Sequence, residues 1–238
     1  HTEVVDIYRD RAADLDIELD VRSHATTGQL ARIFESRTDF VHYIGHCDSE
    51  GLRCGDGNVA ADQLSRSKAR TFFLNACGSY SEGIELVRNG SIAGAVTFGA
   101  VLDEQAAKVG VNFARLYMLG YTIERSLYLA SGHAIVNKQY ATVGDGTHVL
   151  TQGDSIQPGV INVETESIDT YGVSIDMAPV NLAGSVVLAY TSSEPNLMGS
   201  QRETQVDHKE FEELLHSTND PLIFDDKFYW PEELLEEL

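Results

Sequence analysis

Cations are scarce in this chain. Lys and Arg together number 17 against 37 Asp and Glu, and the formal net charge is −20 at pH 7. Such a surface repels phosphate backbones and anionic lipid heads, which argues against a nucleic-acid or membrane-surface role. Only five of the cations are Lys. Acidity of this kind suits a halophilic source, whose salt-rich cytosol screens self-repulsion; the alternative is an acidic mesophilic domain. Cysteine is sparse as well: Cys47, Cys54 and Cys77 cannot all pair, a usage that fits a reducing, cytoplasmic interior better than a disulfide scaffold. No apolar run approaches the roughly 20 residues needed to span a bilayer. The opening His1-Thr2-Glu3-Val4-Val5-Asp6 lacks a basic start and an apolar stretch, so no signal peptide is expected. The missing initiator Met leads us to expect a chain excised from a longer protein, or one that opens on added residues. Internal repeats, low-complexity tracts and phosphate-cradling glycine loops at strand-to-helix junctions are also missing.

What is present reads as α/β. The chain of 238 residues is long enough for one large domain and an appendage. Phe40–His46 and Thr71–Cys77 are short, nearly continuous apolar runs, the pattern of strands covered on both faces. A further strand is expected over Asp16–Val21 and another over Ala93–Val101. Helices are expected over Thr27–Ser36, Ser81–Asn89, Asp103–Leu119 and Ile123–Val136. This alternation implies a doubly wound, mainly parallel sheet. The composition changes near residue 150. Val160-Ile161-Asn162-Val163 and Ser185–Tyr190 alternate as in a small antiparallel appendage, 192–207 reads as a polar linker, and Phe211–Leu215 and Pro231–Leu235 as acidic amphipathic stretches. Three segments are therefore expected: a core over 1–150, a β-rich extension over 151–206 and an acidic helical tail over 207–238.

His46 and Cys77 each close a predicted strand, and reactive groups in open α/β sheets gather beyond the carboxyl ends of strands. A thiol needs an imidazole to form the thiolate or to protonate the leaving amine. The turns after Gly45-His46 and at Cys77-Gly78 could supply backbone donors for an oxyanion. On the residues alone, each also fits a buried structural role, since free Cys packs as a small hydrophobe. His42 reads as a buried structural histidine supporting His46. The ligand-type residues His42, His46, Cys47 and Cys54 make a poor zinc signature. The loop Cys54-Gly55-Asp56-Gly57-Asn58 lacks the rest of a calcium hand and reads as a tight turn. No cofactor or metal is expected.

The motif Val41-His42-Tyr43-Ile44-Gly45-His46, followed 31 residues after His46 by Cys77 within Leu74-Asn75-Ala76-Cys77-Gly78-Ser79, resembles the paired motifs of the CHAT family, which groups with caspases, separases, gingipains and metacaspases. The likeness continues through Ala93–Val96, Val101-Leu102-Asp103, Phe113–Tyr117 with Leu119-Gly120, and Val143-Gly144-Asp145-Gly146, covering about residues 16 to 150. It implies a caspase-like three-layer αβα sandwich and a cysteine endopeptidase acting on protein or peptide substrates. By the same resemblance Cys77 is the nucleophile, His46 the general acid/base, and the backbone N–H groups of Cys77 and Cys47 the oxyanion donors. Asp103, with Glu104 beside it, would line a pocket for a basic side chain; on the residues alone Asp103 also fits a helix N-cap. The family usually has Gly after its His. Here Cys47 is expected to crowd the oxyanion hole or to demand a backbone that Gly reaches more easily. Such domains sit within larger proteins, with a regulatory domain or partner. The rival reading is a catalytically inactive caspase-like interaction module.

Overall fold

In the computed structural model, which describes residues 2–15, 17–132, 139–150, 159–177, 186–188, 195–197 and 203–238, the chain divides into two compact units, His1–Gln152 and Gly153–Leu238. The first contains α1 (Thr2–Leu15), α2 (Thr27–Glu35), β1 (Thr38–Ile44), β2 (Cys47–Asp48), β3 (Gly51–Cys54), β4 (Gly57–Val59), β5 (Ala69–Asn75), α3 (Tyr80–Arg88), β6 (Ala93–Thr97), α4 (Asp103–Met118), α5 (Ile123–Ala130) and β7 (Tyr140–Gly144). Its central sheet runs β1-β5-β6-β7, with β1, β5 and β6 parallel and β7 antiparallel to β6.

Side chains alternate across this sheet, as a pleat requires. Val41, Phe72, Leu74, Val96 and Val143 meet Leu30 and Phe34 of α2 and Leu86 of α3 on one face. Phe40 and Ile44 meet Val4 and Tyr8 of α1 and Ala114 and Met118 of α4 on the other, where Phe73 also packs on Phe113 at 4.6 Å. Helices thus cover both faces, an arrangement compatible with an αβα sandwich. Gly94 makes it fit: a Cβ there would lie 2.0 Å from the Phe72 ring. α2 starts at a capping box between Thr26 and Gln29, reinforced by Asp56, whose carboxylate accepts from Thr27 N at 2.7 Å.

Four features differ from the expectation. The expected strand over 16–21 is not formed: 17–22 have no regular structure, and Leu19 and Val21 are exposed. Among the described residues β1 pairs only with β5, and an alternating segment without a partner gains no ladder hydrogen bonds. α1 arises from a stretch given no element. A small antiparallel sheet, β2-β3-β4, sits between β1 and β5, its β3–β4 turn at Gly55-Asp56. The helix expected to run to Val136 is capped at Ser131, and 133–138 lie outside the described residues.

The second unit contains β8 (Gly159–Ser167), β9 (Thr170–Met177), β10 (Val186–Leu188), β11 (Pro195–Leu197), β12 (Thr204–Asp207), α6 (His208–Ser217), β13 (Leu222–Phe224), β14 (Lys227–Tyr229) and α7 (Pro231–Glu237). One sheet runs β12-β9-β8-β13-β14, and β10 pairs separately with β11. It draws strands from both sides of residue 206, with β13 parallel to β8, and Phe211, Leu214 and Leu234 share its core with Ile161 and Val173. The segment read as a polar linker, 192–207, holds β11 and β12; its other residues except Glu203 lie outside the described ones, as do Ser185, Ala189 and Tyr190. Among the described residues no helix is long and apolar enough to cross a membrane.

Candidate active site

The parallel register of β1 and β5 pairs His42 with Phe73, Tyr43 with Leu74 and Ile44 with Asn75. Gly45 N–H carries the ladder one step further by donating to Asn75 O at 3.4 Å. His46 and Cys77 are each two residues beyond the last pair, so they leave adjacent strands, spaced about 4.8 Å apart, at the same level.

Cys77 opens a turn with little freedom. Gly78 has φ +68°, a left-handed conformation that favours glycine, with open space around its missing Cβ. Buried side chains clamp the turn: Ser79 Oγ donates to Leu74 O at 2.9 Å and accepts from Thr97 N at 3.1 Å, and the Thr97 hydroxyl donates to Ala76 O. The loop after β6 closes over it, Gly78 N donating to Gly99 O at 3.1 Å. The half-buried thiol faces this loop. Val101 N–H donates to Sγ at 3.3 Å, and Sγ lies 3.7 Å from Val101 O as a donor. Two residues upstream, buried Asn75 ties the loops together through Nδ2 to Ala106 O at 2.8 Å and Oδ1 from Tyr140 OH at 3.4 Å. Burial, and secondarily the nearby Cys77, pushes the Tyr140 phenol above its ordinary value.

The His46 ring is exposed, while its backbone is fixed. His46 O accepts from Arg53 N at 2.9 Å and lies 2.8 Å from the Tyr43 hydroxyl, which also lies 2.8 Å from Arg53 O. Among the described residues no hydrogen bond joins the His46 ring to Cys77.

The pairing of β2 with β3 fixes where the Cys47 N–H points. Arg53 N to His46 O makes residues 46 and 53 a hydrogen-bonded pair, so Cys47 and Leu52, the next pair along, are a non-hydrogen-bonded one. The Cys47 N–H therefore points away from β3. Its backbone needs no glycine, since the only non-glycine residues at positive φ among those described are His24, Asp225 and Asp226. Its side chain packs against the core that contains Leu52 and Leu74. Burial, then Glu82, Asp48 and Cys77, push this thiol up to about 11. The Cys77 N–H likewise has no hydrogen-bond partner among the described residues.

Asp103 and Glu104 are exposed in the first turn of α4, two and three residues after Val101. The N-cap is Leu102, which gives no side-chain cap bond, so Asp103 sits one position inside the helix rather than capping it. His42 is in the sheet layer, apart from this constellation. Its Nδ1 bonds Tyr8 OH at 2.8 Å, its ring stacks on Phe73 at 4.7 Å, and its Nε2 is buried without a partner. Some of the residue's surface stays accessible, but burial of the ring lowers its pKa to about 3, so it is a neutral structural group. No bond from His42 to His46 occurs among the described residues. They also hold no group of three or more His, Cys, Asp or Glu able to bind a metal. Asp145 in the Val143–Gly146 segment is engaged locally, accepting from Thr147 Oγ1 at 2.6 Å, and these bonds hold its carboxyl below the ordinary range.

Asn75, Thr97 and Tyr140 went unnoticed in the sequence. A polar residue inside an otherwise apolar strand run was the signal for the first two, because a buried polar group must be placed to find a partner. Tyr140 follows a stretch with no periodicity to mark it. No family model matches the chain, and no curated protein matches it.

Proposed function

We propose that the first unit is a caspase-like cysteine endopeptidase of the CHAT type. The thiolate of Cys77 attacks the substrate carbonyl, and His46 accepts the thiol proton and passes it to the leaving amine. The N–H groups of Cys77 and Cys47 stabilise the oxyanion, and water hydrolyses the resulting acyl-enzyme. Asp103 receives a basic side chain, with Glu104 alongside. The observation that carries this reading is the register that brings His46 and Cys77 level at the ends of adjacent parallel strands. Two unengaged N–H groups on the loops that carry them add to it. The Val101 N–H at 3.3 Å from Sγ gives the developing thiolate a donor.

A second reading, an inactive interaction module, is favoured by one observation: the resting thiol is bonded to Val101 and not to His46. Catalytic hydrogen bonds often tighten only when substrate binds, so this contact does not by itself decide. Turnover of a fluorogenic peptide library at high salt, by the unaltered chain, Cys77→Ala and His46→Ala, separates the two. Cleavage lost in both variants supports the peptidase. No turnover by folded unaltered chain, with Cys77 also unlabelled by a peptidyl acyloxymethyl ketone, supports the module.

A further inference from the structure

Beside the candidate nucleophile the surface changes character. Tyr80, Phe98 and Leu102 are 37%, 52% and 70% exposed, on a chain whose net charge is −20. The rings of Tyr80 and Phe98 stack with centroids 4.6 Å apart and planes at 30°, forming one wall rather than two scattered residues. Leu19, Val21 and Tyr128 are the other exposed large apolar residues described in this unit, and none is on the loops around Cys77.

The loops that hold the sulfur also hold this wall. Tyr80 begins α3 three residues after Cys77. Phe98 precedes Gly99, whose carbonyl accepts from Gly78 N, and Leu102 follows Val101, whose N–H reaches Sγ. Folding therefore leaves an apolar surface exposed at the point where a substrate would approach, and the clamp by Ser79 and Thr97 keeps it there. Stiff, already stacked rings lose little rotamer freedom on binding. Its acidic flank, Asp103 and Glu104, suits a basic neighbour on the same ligand.

From this geometry we infer that Tyr80, Phe98 and Leu102 form a specificity subsite that takes an apolar side chain of a peptide substrate, adjacent to the bond presented to Cys77. The subsite deepens the peptidase reading and rests on it for its role. The preferred substrate carries Leu, Met or an aromatic residue close to a basic one. Glycine or small polar residues at that position are disfavoured.

The test uses the full chain carrying Cys77→Ala and fluorescein-labelled hexapeptides with one Arg. Positions on either side of the Arg are scanned through Leu, Phe, Ala and Ser, and affinity is read by fluorescence anisotropy. At one position the Leu and Phe peptides are expected to bind about tenfold tighter than the Ser peptide. That preference falls below about twofold on adding Phe98→Ser or Tyr80→Ser, and survives with Phe98→Leu. Equal affinities across the scan, no binding at all, or a preference that outlives Phe98→Ser would overturn the subsite. So would loss of self-association in Phe98→Ser with unchanged peptide affinity, which would assign the wall to a second copy of the chain. Turnover of the same peptides by the unaltered chain keeps the two readings apart. Selective binding without cleavage removes the peptidase and leaves the subsite; cleavage without selectivity does the reverse.

Discussion

Cys47 shows how one residue divides between backbone and side chain. Its half-buried thiol packs against the core, close enough to Cys77 and Glu82 to feel both, while its N–H points out of the β2–β3 hairpin. Replacing Cys47 with Pro removes that N–H without breaking a ladder bond, which a strand tolerates at such a position. If the N–H stabilises the oxyanion, kcat is expected to fall about 10²- to 10³-fold with KM little changed; Cys47→Ala, which keeps the N–H, stays active. Steady-state kinetics on the best library peptide checks both. His42 illustrates the other case, a histidine held neutral. Its folded pKa is about 3 against an ordinary 6.5, so between those values the unfolded chain binds the extra proton. Its contribution is therefore complete above about pH 6.5 and is lost as pH falls toward 3, with a slope reaching about 1.4 kcal/mol per pH unit. Urea midpoints from pH 7 to 4.5 should drop steeply for the unaltered chain. His42→Gln should be less stable at pH 7 and show a shallower pH dependence.

Among the elements, the turn from β5 to α3 is the most constrained. Ala76 O accepts from both Ser79 N at 3.3 Å and the Thr97 hydroxyl. Thr97→Val keeps the shape but removes one of those donors from a fully buried position, a loss expected to cost about 1–3 kcal/mol. The urea midpoint reports that cost, and a slower reaction of Cys77 with iodoacetamide, measured across pH, reports the loosened turn. The strands and helices that place this turn were legible because β1, β5 and β6 hold nearly continuous apolar runs and α2, α3 and α4 carry apolar residues at helical spacing. α1 was not. Val4, Tyr8 and Leu15 are spaced for a helix, but a short amphipathic helix is marginal alone and here gains its stability by packing on α4. The alternation in Ile17, Leu19 and Val21 misled for the converse reason: it describes a strand face, and among the described residues no strand pairs with it.

For the whole molecule the decisive quantity is charge. The ion pairs at Arg9–Asp6, Arg22–Asp20, Arg70–Asp39 and Lys209–Glu213 join exposed groups, and such pairs contribute at most about 1 kcal/mol each. Repulsion among 37 acidic groups, against 17 Lys and Arg, is expected to outweigh them. Raising NaCl from about 0.1 to 1 M shortens the screening length from about 10 to 3 Å, so the thermal midpoint is expected to rise. A midpoint that falls with salt would mean the ion pairs dominate, and differential scanning calorimetry reads the sign directly. Composition alone determined this charge balance, since it depends on counts and not on contacts. Sequence likewise determined the α/β alternation and the His46 and Cys77 motifs, because strand and helix periodicities and local motifs are written in neighbouring residues. Tertiary structure alone decided that those two residues stand level, since register is set by pairing between residues 31 positions apart. It also decided that Cys47 turns its thiol inward and that Tyr80 and Phe98 stack in the open. Segments read separately, 159–177 and 204–229, joined one sheet for the same reason: which distant surfaces meet depends on the three-dimensional packing, and no local pattern encodes it.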